Sequence, residues 1–303
     1  PFHGVEIDRP LPPTDADAAA QENPLLEQIR SDWEARLDRV KLELPPAGQK
    51  LADTIKSNLA YILINRAGSA IQPGSRTYAR SWIRDGALTS AALLSMGYTD
   101  EVRQFLLWYT PYQLPDGKVP CCVDSRGADP VPEHDSHGEL IYAIMEYYRY
   151  TRDVGFLREM WPYVVKAVAY IEFLRQQRLT EYYRSNPTYL PYWGLVPESI
   201  SHEGYSSHPR HSYWDNFFIL RGLKDAATVA VVLGEDEQAT RFANLRDAFR
   251  KDLYASIRAT IKQHNIDFIP GAVELGDFDP TSTTIAVDPG GEFAEAFKVI
   301  HDH

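Results

Sequence analysis

The sequence predicts an all-α protein built from helical hairpins that pack side by side. Apolar residues recur at every third or fourth position along most of the chain, as in the stripe formed by Leu51, Ile55 and Leu59, and this spacing matches the period of an α-helix. Short links alternate with long links rich in Pro and Gly, so we expect the long loops to emerge on one face. The alternation typical of β-strands is scarce, and residues 267–270 are one weak strand candidate.

Capping residues and helix breakers set the predicted helix boundaries. Ser81, Thr99 and Ser136 each precede an apolar stripe, and Ser and Thr side chains accept hydrogen bonds from the first backbone amides of a helix. Gly97 and Gly234 are predicted stops. The predicted helices cover about 24–40, 49–63, 81–96, 99–109, 136–150, 153–178, 212–233 and 235–257, and another begins near residue 292.

Two regions are predicted. Residues 1–48 form an N-terminal lead-in with one helix, which a Pro- and Gly-containing stretch separates from the rest. Residues 49–303 form a helical-hairpin catalytic domain. The sequence stops soon after the helix that begins near Glu292, without a recognisable cap, so we expect this domain to be incomplete at its C-terminal end.

Composition disfavours several classes of partner. The 303-residue chain has a formal net charge of -11 and no block of Lys or Arg, so neither nucleic acid nor an anionic membrane is an expected partner. Its apolar runs are too short to span a bilayer. Cys121 and Cys122 are adjacent, so they form neither a disulfide framework nor a CxxC metal motif. No cofactor or metal is predicted.

Residues 78–86 form the first loop with the chemistry of a sugar site. With Ser81 as the cap, Arg84 and Asp85 fall in the first helical turn. A guanidinium that donates hydrogen bonds and a carboxylate that accepts them suit vicinal hydroxyls, and Trp82 adds an aromatic ring. The alternative is structural, with Asp85 stabilising the helix dipole and Arg84 forming a surface ion pair.

Residues 133–139 combine acidic and imidazole side chains. Ser136 and Glu139 fit a capping box, which explains Glu139 without a function. Asp135 and His137 remain candidate substrate contacts. A metal site is not favoured here, because the spacing of the histidines brings no further ligand with it.

Residues 192–205 form the loop richest in aromatic and acidic side chains. Glu198 and Glu203 are the candidate catalytic residues, because partial burial against rings raises the pKa of a carboxyl and a general acid must be protonated near neutral pH. Asp215, another candidate contact, has an alternative role in capping the helix that starts at Ser212. The further candidate sugar contacts are Trp193, His202, Tyr205 and Trp214.

Residues 274–284 are predicted to form another loop with three carboxylates. Two carboxylates across a glycosidic bond, together with aromatic rings for the sugar, are the groups that glycoside hydrolysis uses. The partner expected for this set of loops is therefore a carbohydrate.

The helix-hairpin order and the sequence Trp82-Ile83-Arg84-Asp85 resemble the six-hairpin glycosidases, an (α/α)6-barrel group that includes glucoamylase-like and glycogen-debranching-like enzymes. Residues 115–120 and 194–222 also look like bacterial members of that group. The resemblance covers about residues 49–300 and implies an (α/α)6 toroid.

The resemblance also implies roles for single residues. Arg84 and Asp85 would bind hydroxyls of the sugar in the subsite before the scissile bond. The general acid would be a Glu on the loop after the fifth helix, with Glu198 favoured over Glu203. The group's general base lies near its eleventh helix, which this chain does not reach, and the group mostly inverts, with carboxyls about 6.5–9.5 Å apart.

Two other functions remain open from the sequence. A polysaccharide lyase on a helical toroid would use Tyr205, His202 and Arg210, although the net charge of -11 disfavours an acidic polymer. A carbohydrate-binding protein with a degenerate site is the alternative without enzymatic activity.

Overall fold

The computed structural model describes residues 24–201, 205 and 207–294. The chain divides into two compact units, residues 1–57 and residues 58–303. The division between residues 48 and 49 that the sequence suggests stays a prediction. No described helix is both long enough and apolar enough to cross a membrane.

The all-α prediction is confirmed. The described residues form α1 (Pro24–Leu37), α2 (Gln49–Ile64), α3 (Ile83–Ser95), α4 (Thr99–Tyr109), α5 (Asp135–Thr151), α6 (Val154–Gln176), α7 (Glu181–Ser185), α8 (Tyr213–Leu233), α9 (Asp236–His264) and α10 (Pro280–Val287). A small antiparallel sheet joins β1 (Ser81–Trp82), β2 (Cys122–Asp124) and β3 (Gly127–Asp129) in that order.

Three helical hairpins follow one another in residues 58–303: α3 with α4, α5 with α6, and α8 with α9. Helix α5 packs against both α3 and α8, and α10 packs against α8. Helix α4 packs on α3 and α5, α6 packs on α5 and α8, and α9 packs on α8, as in a helical toroid of hairpins. Helix α8 is buried along most of its length, with Phe217, Phe218 and Ile219 fully buried at successive positions, as expected for an inner helix.

The predicted caps are wrong at three helix starts. Ser81 lies in β1, where its hydroxyl donates to a backbone carbonyl, and α3 begins two residues later at Ile83. Thr99 is the first residue of α4 and not its cap. Helix α5 begins at Asp135, one residue before Ser136. The pairing of β1 with β2 removes Ser81 from the helix, and the sequence does not show that pairing.

Two predictions near the C-terminal end are also wrong. Residues 267–270 form no strand, and part of the predicted loop at 274–284 belongs to α10. The Asp279 side chain caps this helix by accepting a hydrogen bond from the N–H of Thr281 at 3.0 Å. Pro280 fits the first helical position because its missing N–H has no partner there. The helix is rich in Thr, which has a modest helix propensity, so the apolar spacing of the sequence does not indicate a helix here.

Helices α5 and α8 meet at two glycines. A Cβ atom on Gly138 would lie 2.0 Å from the carbonyl oxygen of Phe218, and one on Gly222 would lie 2.6 Å from the Cα of Gly138. The backbones therefore touch where a side chain does not fit. This contact brings the N-terminal turns of the two helices together.

We expect Gly138→Ala to lower the free energy of unfolding by at least about 2 kcal/mol, because the new methyl group overpacks a contact between two backbones. Chemical denaturation followed by circular dichroism measures the change. Gly155→Ala is the matched control, because the neighbour of its new Cβ is the tip of the Asp153 side chain at 3.3 Å. Equal stabilities of the two variants would contradict the close packing of α5 on α8.

Candidate active site

The N-terminal turns of α3, α5 and α8 converge. Arg84 and Asp85 lie in the first turn of α3, Asp135 opens α5, and Asp215 lies in the first turn of α8. The backbone N–H of Asp135 donates to Asp215 Oδ1 at 3.1 Å. Amide groups at helix N-termini stabilise negative charge, so carboxylates gather here. The long loops before α5 and α8 therefore end at one place, as their alternation with short links predicted.

The Arg84 guanidinium joins these helix starts. Its Nε and Nη2 atoms lie 2.8 Å and 2.6 Å from Asp135 Oδ2, and Nη2 also donates to Glu133 Oε2 at 2.8 Å. The Trp214 indole N–H donates to the same Asp135 oxygen at 2.8 Å. Burial opposes the charge on Arg84, but the surrounding carboxylates outweigh it and raise the pKa of Arg84 well above its ordinary value. The ion pair is therefore internal and not the surface pair of the structural alternative.

Carboxyl groups outnumber the cation at this point. Glu133, Asp135, Glu139 and Asp215 lie around the single guanidinium of Arg84 in the part of the chain that the structure describes. Burial, followed by the charge of Asp135, raises the pKa of Asp215 to about 8, and burial raises the pKa of Glu139 well above its ordinary value. The cluster therefore retains protons at neutral pH.

Glu139 does not complete a capping box with Ser136. Because α5 begins at Asp135, the spacing that a capping box requires is lost. The Glu139 side chain is fully buried, and its Oε1 lies 3.9 Å from Arg84 Nε. The prediction that a cap explains Glu139 is wrong, because this residue belongs to the buried charge cluster.

A pocket of about 380 Å³ opens beside Arg84. We call it the Arg84 pocket. It presents aromatic rings, a guanidinium and two carboxyls, and it is lined by Pro73, Tyr78, Trp82, Arg84, Asp85, Glu133, Ile200 and Ser201. The structure thus brings the predicted contacts Trp82, Arg84 and Asp85 together.

Glu133 is the pocket carboxyl that sequence reasoning missed. Its side chain is only 13% exposed. Burial, and then the charge of Asp135, raises the pKa of Glu133 to about 7, against the opposing effect of Arg84. A carboxyl with this pKa is partly protonated at neutral pH and can donate a proton. Its position two residues before Asp135 indicates only weakly that Glu133 belongs to the site, because the fold alone shows that its side chain contacts Arg84.

Hydrogen bonds fix residues 199–201 against the helix starts. Ser199 Oγ donates to Asp215 Oδ2 at 2.5 Å and lies 2.8 Å from Ser201 Oγ. Ser201 Oγ in turn accepts a hydrogen bond from the N–H of His134 at 3.0 Å. Asp215 is fully buried and lines neither this pocket nor the next, so its contacts are with the loop and with α5.

Glu198 lies in a second pocket, of about 290 Å³. Its carboxylate forms an ion pair with Arg178, and its Oε2 lies 3.5 Å from His211 Nε2. Burial favours a higher pKa, but backbone hydrogen bonding and these two neighbours outweigh it, and the pKa of Glu198 is below its ordinary value. The prediction that nearby rings raise this pKa is wrong, because the chain brings a guanidinium to the same carboxylate.

The remaining predicted contacts lie outside the Arg84 pocket. His137 is fully buried, and its ring accepts a hydrogen bond from a backbone N–H at 3.2 Å. Trp193 is half-buried beneath a guanidinium, and the Tyr205 hydroxyl donates to a carboxylate at 2.9 Å. Trp214 contacts the site through its bond to Asp135, described above. His202 and Glu203 lie outside the described residues.

One group among the described residues has the ligand types of a metal site. The possible ligand atoms of Cys121, Cys122 and Asp129 lie within 4.8 Å of one another. Arg80 Nη2 donates to Asp129 Oδ2 at 2.7 Å, so a cation already neutralises this carboxylate. We propose no metal there.

Comparison with known families and structures supports the resemblance. Residues 51–183 match the model of the family described as amylo-alpha-1,6-glucosidase. A search of curated protein sequences found no match.

Solved structures with a similar fold come from Thermus thermophilus. A GH63 mannosylglycerate hydrolase in complex with Tris aligns with a TM-score of 0.55 at 14% identity, over 82% of this chain and 76% of that one. An uncharacterized conserved protein aligns with a TM-score of 0.50 at 14% identity, over 79% of this chain and 75% of that one. The GH63 mannosylglycerate hydrolase in complex with glucose aligns with a TM-score of 0.47 at 15% identity, over 66% of this chain and 64% of that one. The chain thus spans less than two thirds of that last structure.

The structural likenesses establish the fold, and the family match covers the hairpins that carry Arg84 and Glu133. Residues 51–183 are therefore similar to a glycoside hydrolase domain of the amylo-alpha-1,6-glucosidase type, and the fold of the chain is similar to that of the GH63 hydrolase.

Proposed function

We propose that the chain hydrolyses a glycosidic bond in the Arg84 pocket, with Glu133 as the general acid. The observation that carries this proposal is the Glu133 carboxyl, which lines the pocket beside Arg84 and Asp85 and has a pKa raised to about 7. Protonation of a leaving group requires an acid whose pKa lies near neutral pH.

The rest of the pocket suits a sugar ring. Trp82 and Tyr78 offer aromatic surface to the apolar face of the ring, with their centroids 6.2 Å apart. Arg84 donates hydrogen bonds to hydroxyls and Asp85 accepts them. Asp135 and Trp214 hold the guanidinium in place, so the donors are oriented before the substrate arrives.

In the proposed reaction, Glu133 gives its proton to the glycosidic oxygen as the bond between that oxygen and the anomeric carbon breaks. In the same displacement a water molecule bonds to the anomeric carbon from the opposite face and passes its proton to a carboxylate that acts as general base, so inversion is the expected outcome. Glu198 is ionised by its contact with Arg178, which disfavours it as the proton donor. Glu203 is a second candidate for the donor on sequence grounds alone.

We expect Glu133→Gln to lower kcat/KM for an unactivated oligosaccharide by about 10²–10⁴-fold, because the amide cannot donate the proton. The loss should be much smaller for a 4-nitrophenyl glycoside, whose leaving group needs little protonation. Rates on both substrates, chosen by a screen of oligosaccharides and aryl glycosides, measure the effect.

The exposed Glu159 on α6 provides a control, Glu159→Gln, which should leave both rates unchanged. Glu198→Gln and Glu203→Gln are compared in the same assay. A large loss in either of these with near-normal rates for Glu133→Gln would show that Glu133 is not the acid.

The pH dependence follows from the raised pKa of Glu133. Because the acid must be protonated and its pKa is about 7, kcat/KM should fall as the pH rises through about 7, approaching tenfold per pH unit. Initial rates from pH 5 to 9 test this. A profile that stays flat to pH 9 would contradict the assignment, and Glu133→Gln should abolish the alkaline decline.

Arg84→Lys should raise KM by about tenfold or more, because an ammonium group lacks the fork that binds Asp135 and Glu133 together. Steady-state kinetics and circular dichroism separate a binding defect from a folding defect. Arg158→Lys, at an exposed ion pair on α6, is the control. An unchanged KM for a folded Arg84→Lys protein would remove Arg84 from the sugar site.

A further inference from the structure

The pocket that contains Glu198 is distinct from the Arg84 pocket and shares none of its lining residues. We call it the tyrosine pocket. Four tyrosines dominate its wall, and the complete lining is Arg178, Tyr182, Tyr183, Tyr189, Tyr192, Glu198, Pro209, His211 and Glu274. Its volume is about 290 Å³.

The tyrosine rings form an accessible aromatic surface. Tyr182 and Tyr189 stack with centroids 4.8 Å apart and planes inclined by 22°. Tyr182 is 59% exposed, so part of this stacked surface is open to solvent. Tyr192 packs its ring edge-on against His211, with centroids 4.7 Å apart. The local sequence of α7 and the short 3₁₀ helix at Leu190–Tyr192 thus places four rings around one cavity.

A line of polar groups forms the floor of the same cavity. Glu274 Oε1 lies 2.7 Å from His211 Nδ1, and Arg178 Nε donates to His211 Nε2 at 2.9 Å. Because Nε2 accepts this bond, the proton of a neutral His211 is on Nδ1 and points at Glu274. Arg178 then pairs with Glu198, whose side chain is 49% exposed and reaches the cavity. Donors and acceptors are therefore fixed before a ligand binds.

We propose that the tyrosine pocket is a second binding site, for a neutral sugar ring, in which Glu198 accepts hydrogen bonds from sugar hydroxyls. Aromatic faces beside fixed carboxylate and guanidinium groups match a sugar, which has apolar ring faces and a rim of hydroxyls. The site requires no bond cleavage, so it does not depend on the activity proposed for the Arg84 pocket.

The charges of the cavity favour a neutral ligand. A cluster of tyrosines can also bind a quaternary ammonium ion. Here, however, the Arg178 guanidinium already lies over the Tyr183 ring, 5.2 Å from its centroid, and it would repel a second cation. An anionic ligand would in turn meet the carboxylates of Glu198 and Glu274. Hydroxyl groups avoid both penalties.

The binding test uses an Arg84→Lys protein, in which sugar binding at the Arg84 pocket is weakened. Saturation-transfer NMR and titration with glucose, mannose, galactose and maltose give Kd values. We expect at least one of these sugars to bind this protein. Adding Tyr182→Ala and Tyr189→Ala should weaken that binding by about tenfold or more, because the stacking surface is lost. A tenfold change in Kd corresponds to about 1.4 kcal/mol of binding free energy.

Tyr150→Ala is the matched control, because Tyr150 is similarly exposed, at 49%, but lies at the end of α5 and outside the pocket. It should leave the Kd unchanged. Glu198→Gln should weaken binding by several-fold without changing the circular dichroism spectrum. The proposal is overturned if none of the four sugars binds, or if the double tyrosine substitution leaves the Kd unchanged. Choline binding that the same tyrosine substitutions abolish would show a cation site instead.

Discussion

The contact of the Arg84 guanidinium with Asp135 and Glu133 is the interaction on which the rest of the site depends. Three helices begin around it, and their N-terminal amides favour the carboxylates that collect there. Removing the cation would leave buried carboxylates without compensation, which is far more costly than losing a surface ion pair. The close contact of Gly138 with α8 permits this convergence, because it brings two of the helix starts together.

The excess of carboxyls over cations has a chemical consequence. With one guanidinium among four acidic side chains, protons must remain on some of them near neutral pH. Burial raises the pKa of Glu139 and of Asp215, which lie away from the Arg84 pocket, whereas Glu133 reaches it. The same crowding that would destabilise a simple ion pair thus supports the role of proton donor that we propose for Glu133, at a position where the pocket also offers rings and hydrogen-bonding groups.

Glu133 and Glu198 show how environment separates two similar carboxyls. Both belong to long loops that precede inner helices, and both contact a guanidinium. Glu133 also lies beside Asp135 and is largely removed from water, so its pKa rises. Glu198 is half exposed, and a backbone hydrogen bond and Arg178 stabilise its ionised form, so its pKa falls. The roles that we propose for them, as proton donor and sugar ligand, follow from these surroundings and not from the residue type.

The sequence by itself determined the helical class and the order of hairpins, and it singled out Trp82, Arg84 and Asp85 as one group, because helical periodicity and a compact motif are local properties. Tertiary structure alone decided that Glu139 is buried beside Arg84 and that Glu133 faces the pocket. It also placed the true start of α3 after a strand and moved Glu198 into a different cavity. The physical reason is that a pKa and the lining of a pocket depend on groups far apart in the chain. Their separation in the sequence does not give their distance in space.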